Sequence, residues 1–163
     1  MNKSIDFSNE KILNINSDNR CVSREVAKKN IINFPKGIIG FEQLKNFIVI
    51  INEDIAPFMF LQSLDDDNIN FVCVESFNVK DDYSFNLNET VTDRLELNNM
   101  SEVLLLSIVT ISENIEKSTA NLLSPVVINM RTMQAEQVIL DGAVYPVKYN
   151  IWDNICNMQA FAQ

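Results

Sequence analysis

The chain has 163 residues, 47% of them apolar and 21% charged, and a net charge of −9 at neutral pH. That length predicts one domain whose core is large enough to fold without a disulfide or a metal, and that composition excludes a disordered chain. No histidine is present, which excludes every imidazole base and imidazole metal ligand, and the acidic excess argues against direct nucleic-acid binding, because phosphates need clustered lysine and arginine.

Residues 1–26 are rich in Asn, Ser and alternating charge and read as an irregular N-terminal extension. Within it Ile5, Phe7, Ile12, Leu13 and Ile15 suit one irregular strand or a loosely held arm. The polar start is no secretory leader, and the densest apolar run, 103–109, is too short to cross a bilayer, so a cytoplasmic protein with no membrane partner is expected.

From Asn30 the texture changes. Ile31-Ile32-Asn33-Phe34 is a strand stopped by Pro35 and Gly37. Strands at 47–51, 58–61 and 69–74 follow, the last two joined by a hairpin with the acidic tip Asp65-Asp66-Asp67-Asn68. Residues 83–87 alternate with period two, as a half-buried strand should. Asn88 is placed to cap a short helix through Asn99, with Val91 and Leu95 on one face. Residues 103–111 form the strongest strand, apolar on both faces in its first half and therefore central, covered on one side by that helix. Short strands at 119–123, 126–129, 137–140 and 147–151 complete a domain over 27–152. The tail, 153–163, carries Ile155, Met158 and Ala162 at helical spacing from Ile151 and reads as a short helix, docked on the domain in preference to being presented to a partner. Closely spaced strands with few helices predict a mainly β fold: an antiparallel β-barrel, or a barrel-like sandwich, with one or two short helices.

Little here suggests catalysis. No nucleophile elbow and no glycine-rich phosphate cradle is present, and no catalytic or cofactor-binding residue, cofactor or metal is expected. Asp66-Asp67-Asn68-Ile69-Asn70 begins like a calcium loop, but Phe71 stands where the glycine should be and Phe77 where the last carboxylate should be. The three cysteines (Cys21, Cys73, Cys156) are far apart and make no disulfide framework or zinc site; Cys73 reads as a small buried apolar residue.

Three segments are more specific: Phe34-Pro35-Lys36-Gly37-Ile38-Ile39-Gly40-Phe41-Glu42-Gln43-Leu44; Phe60-Leu61-Gln62-Ser63; and Ser118-Thr119-Ala120-Asn121-Leu122-Leu123-Ser124-Pro125-Val126-Val127-Ile128-Asn129, followed by Gln137-Val138-Ile139-Leu140. In order and spacing they resemble the flagellar assembly factor family FliW, over about residues 30–152. The chain departs from the family pattern at its start, where some twenty extra residues stand and 21–29 contain no glycine. The resemblance implies a non-enzymatic, chaperone-like cytoplasmic protein that binds flagellin and also binds and antagonises the RNA-binding translational regulator CsrA, so that flagellin level is coupled to flagellin translation. It implies antagonism away from the RNA site, and a monomer is the expected state.

Under that reading the acidic loop residues Asp65, Asp66, Asp67, Glu113 and Glu116 are candidates to steer the basic regulator. Ser118, Thr119, Asn121, Pro125 and Asn129, with Gln137 from the next strand, are candidates for a flagellin-binding rim. Turn chemistry offers a competing account of the same residues as a barrel corner that touches no partner. A barrel holding a small apolar molecule and a general acidic protein-binding regulator are the alternatives; the first requires a large empty interior.

Overall fold

The computed structural model describes residues 11–14, 23–26, 28–142 and 145–161. The expected arm at Ile5, Phe7 and Ile15 lies outside them, as does Cys21. Within the extension, β1 (Lys11–Asn14) pairs antiparallel with β2 (Ser23–Val26).

Seven strands close a barrel. In ring order they are β3 (Ile32–Asn33), β4 (Asn46–Ile51), β5 (Phe58–Ser63), β6 (Asn70–Glu75), β7 (Val103–Thr110), β9 (Val126–Asn129) and β10 (Gln134–Gln137), which returns to β3. The expectation of a purely antiparallel barrel needs one correction. The closing β10–β3 pair is parallel, with Gln134 opposite Asn33, so the barrel is mixed. A parallel pair cannot be joined by a tight hairpin, and here the whole barrel forms the crossover between its two strands.

β7 is the hub. One edge pairs with β6. Residues 103–106 pair with β9, and Val109 and Thr110 pair with β8 (Thr119–Ala120), which in turn carries β11 (Tyr149–Asn150). Strands 119–123 and 147–151 are therefore shorter than their apolar content suggested. Strand β10 lies three residues earlier than expected, because Val138 and Leu140 leave the ladder for single bonds to the Pro125 and Leu123 carbonyls.

Period-two alternation sorts the side chains into the barrel interior and two outer clusters, the smaller formed by Ile48, Ile50 and Leu64. Phe47, Met59, Leu61, Cys73, Leu106, Val126, Ile128 and Ala135 point inward and fill the barrel with Ile32 and Phe34. These buried side chains occupy the interior, which gives the ligand-binding barrel no support. Burial pushes the Cys73 thiol up to about 12, as an inert packing residue requires.

The outward residues Val74, Leu105, Val109 and Val127 build a second core under the helices. Three short α-helices are described: α1 (Ser76–Val79), α2 (Glu89–Arg94) and α3 (Trp152–Phe161). Val79, Val91, Leu95, Ile151 and Ile155 supply their buried faces, each such side chain contributing about 1.5–3 kcal/mol. Ile151 and Ile155 seat the tail helix on that core, Ala162 lying outside the described residues, and α2 shares the core with the outward residues of β7 while its end is bonded to β9 and β10.

Asn88 does cap α2: its Oδ1 accepts from Val91 N at 2.9 Å. The helix ends earlier than Asn99, however. Glu96 adopts φ +51, Glu96 N donates to Asp93 O and Leu97 N to Thr92 O, which together make a Schellman stop. A glutamate in that left-handed position gives no sequence signal where glycine would have.

Candidate functional site

The acidic candidates divide by what their carboxylates touch. Asp65 is exposed but anchored, its Oδ2 accepting from Lys45 N at 2.6 Å and Asn46 N at 2.8 Å, so it ties the β5–β6 tip to the start of β4. Asp66 Oδ1 accepts from Asn68 N and shapes the turn. Asp67, Glu113 and Glu116 are exposed, the last two on the turn between β7 and β8. The structure therefore makes Asp65 and Asp66 turn-forming residues and leaves Glu113 and Glu116 exposed on the β7–β8 turn.

The rim candidates are mostly internal. Ser118 is buried and its Oγ accepts from Ser112 N. Thr119 is half-buried in β8. Asn121 Oδ1 accepts from Ser124 N, and the buried Pro125 offers its carbonyl to Val138 N. Asn129 is 0% exposed. Its Nδ2 donates to Leu95 O at 2.8 Å and Glu96 O at 3.2 Å, while its Oδ1 accepts from Arg131 N and Thr132 N. The expectation that Asn129 lies on a rim is thus corrected: it faces inward and holds the end of α2. Gln137 likewise bridges, accepting from Ile39 N and donating to Ser124 O.

What sequence reasoning missed is a clamp one residue away. Arg94 donates to both Glu136 carboxylate oxygens at 2.8 and 3.0 Å, and Lys36 donates to the same group at 2.9 Å. Helix α2, strand β10 and the Pro35–Gly37 turn meet on one carboxylate, although 42 and 100 residues separate the pairs. Burial pushes the Glu136 carboxyl up, but the Arg94 and Lys36 hydrogen bonds outweigh it and hold the group below its ordinary 4.5. A lowered carboxyl stabilises the fold fully above that ordinary value and loses the contribution as pH falls through the lowered one. Glu136→Gln should therefore flatten the acid limb of the stability curve below about pH 4.5 while changing its shape little at pH 7, read by urea unfolding across pH. An unchanged acid limb would show that the clamp does not stabilise the fold.

Next to α2 lies an open groove of about 510 Å³, lined by Phe77, Phe85, Leu87, Leu97, Met100 and Val103 among others. Phe77 and Met100 are 53% and 73% exposed. Tyr83 anchors its base: the hydroxyl donates to Leu122 O, and the ring packs edge-on against Phe85 and Tyr145. Tyr145 accepts from Ser84 N and donates to Ser84 O, fastening the start of one wall. The only sequence signals of this groove were the alternation over 83–87 and the isolated Met100.

Among the described residues no cluster of Cys, Asp and Glu is arranged to hold a metal ion, and no helix is long and apolar enough to cross a membrane.

The chain resembles known proteins over most of its length. The family model FliW protein matches residues 15–151. Flagellar assembly factors FliW of Caldicellulosiruptor saccharolyticus and Clostridium kluyveri are 40% and 41% identical to it over 131 and 128 residues, covering 80% and 78% of this chain and 86% and 88% of theirs. That of Bacillus subtilis is 36% identical over 131 residues, 80% of this chain and 92% of its own. A crystal structure of the flagellar assembly factor FliW superposes with a TM-score of 0.78 at 28% identity, covering 88% of this chain and 97% of that one. With the barrel and the three sequence blocks in the same order, the chain belongs to the FliW family of flagellar assembly factors.

Proposed function

We propose that the protein is a cytoplasmic regulatory binder that captures flagellin and also antagonises the translational regulator CsrA, without catalysing a reaction. Family membership carries this reading. The filled barrel and the net charge of −9 support it, because they leave the outer surface, and chiefly its acidic loops, to do the work. Free flagellin occupies the factor and leaves the regulator to repress flagellin translation; export of flagellin returns the factor to the regulator. Neither exchange needs a covalent step or a cofactor.

Co-purification of the tagged chain from its host tests the reading. Recovery of flagellin and of a small RNA-binding dimer is the expected result, and recovery of neither at modest ionic strength would end it. The acidic turn before β8 is assigned the steering role. Exposed rim charges act mainly on association rate, so Glu113→Lys with Glu116→Lys should slow association with CsrA by about threefold to tenfold at low salt, with little change at high salt. Stopped-flow fluorescence reads this directly. An association rate equal to wild type at low salt removes the turn from the encounter surface.

A further inference from the structure

Residues 83–87 have the burial alternation of a strand but no partner strand among the described residues: Tyr83, Phe85 and Leu87 turn in, Ser84 and Asn86 turn out. The backbone N–H and C=O groups of Phe85, Asn86 and Leu87 make no hydrogen bond to another described residue. A strand-like backbone with free donors and acceptors is a template for strand addition. This one forms a wall of the apolar groove, so an added segment would gain both backbone bonds and side-chain burial.

Charge defines the occupant further. The first wall is bracketed by Asp81 and Asp82 before Tyr83 and by Glu89 after Leu87; the second, 97–100, is bracketed by Glu96 and Glu102. Two of these acids are already paired, Asp82 with Lys80 and Glu102 with Arg131, and Arg94 is held by Glu136, which leaves Asp81, Glu89 and Glu96 exposed around the groove. An apolar floor with exposed acids at both ends of the first wall and at the start of the second complements a segment that is apolar in its middle and basic at its ends.

We propose that this groove is a docking site for an extended, centrally apolar polypeptide segment with lysine or arginine at its ends, which adds as a strand along Phe85–Asn86–Leu87 and seats alternate side chains against Leu97 and Met100. The proposal goes beyond the regulatory reading and does not depend on flagellin being the occupant.

The test uses the full chain and a fluorescent synthetic peptide, Lys-Lys-Val-Thr-Val-Thr-Val-Lys-Lys, against the same peptide with glutamate ends and against a helix-forming peptide of equal charge. The lysine-ended strand peptide should bind about tenfold more tightly than the glutamate-ended one, and high salt should narrow that gap. Met100→Glu places a carboxylate on the groove lip at a position exposed enough to leave the fold intact, and it should weaken binding about tenfold. Saturating peptide should slow amide hydrogen exchange across 84–88. Preference for the helical peptide, or binding without slower exchange at 84–88, overturns strand addition. So does protection of that segment by self-association of the chain without peptide. Equal affinity of the Met100→Glu variant, or no binding at all, overturns the site. Success of the co-purification with failure here would leave the regulatory reading standing and remove only the groove.

Discussion

Asn129→Ala is expected to lower stability by about 3 kcal/mol, because it removes a fully buried amide that bonds four backbone groups. The Leu95 carbonyl loses its amide donor in a region where Leu95 itself is 2% exposed. Arg131 N and Thr132 N lose their acceptor at the turn after β9. The Glu96 carbonyl keeps the Arg131 guanidinium at 2.9 Å, so that group is spared. In a chain of this size the loss corresponds to a fall in Tm of about 6–12 °C, read by circular dichroism. Asn129→Asp separates the two halves of the network. Its carboxylate can still accept from Arg131 N and Thr132 N but cannot donate to Leu95 O, and the new charge is buried. It should be at least as damaging as alanine. A Tm within a degree of wild type, accompanied by weaker capture of flagellin, would instead return Asn129 to the partner surface.

The same residue shows where sequence reading stops. The Asn129 side chain continues the polar ending of a strand and looks like a turn residue at a rim. Only the tertiary fold puts the end of α2 over it. What makes that end unusual, Glu96 at positive φ, is invisible because a helix stop is normally announced by glycine. By contrast, the strands were legible wherever burial on one face imposed alternation. Where both faces are buried, as in Phe47-Ile48-Val49-Ile50 or Cys73-Val74, the apolar run marks a strand but only the fold shows which face turns into the barrel. Strand β10 escaped because its outward residues are polar for a tertiary reason: Glu136 is held by cations from distant segments. The apolar run after it attracted the assignment and turned out to pack beneath the helices.

For the candidate residues, exposure was legible in part. An acidic surface and the absence of catalytic motifs pointed to binding, and Glu113 and Glu116 do face solvent. The rim residues did not follow, because polar residues that close a barrel corner and polar residues that meet a partner have the same local chemistry. The groove was hidden for a different reason. Alternation over 83–87 predicts a strand, and no local rule says that its partner will be missing.

Gly37→Ala should be the most damaging change in the Pro35–Gly37 turn, with an expected loss of about 3–4 kcal/mol. Two costs add. Gly37 has φ +71, a conformation that costs a residue with a side chain roughly 1–2 kcal/mol. A Cβ there would also lie 2.6 Å from Glu42 Cα and 2.7 Å from Glu42 O, both backbone atoms that no rotamer change can move. Relief requires shifting 41–44, and that segment carries Phe41, stacked edge-on against Phe71 at 5.3 Å, and the buried Leu44; overpacking of this kind adds about 1–3 kcal/mol. Gly40 supplies the control. Its φ is +85, but a Cβ would meet nothing within 4 Å, so Gly40→Ala should cost only the conformational part, about 1–2 kcal/mol. Urea unfolding of the two variants side by side should therefore show Gly37→Ala the weaker by about 2 kcal/mol, with similar slopes. Equal midpoints would mean that Glu42 yields without cost and that left-handed geometry alone explains both glycines.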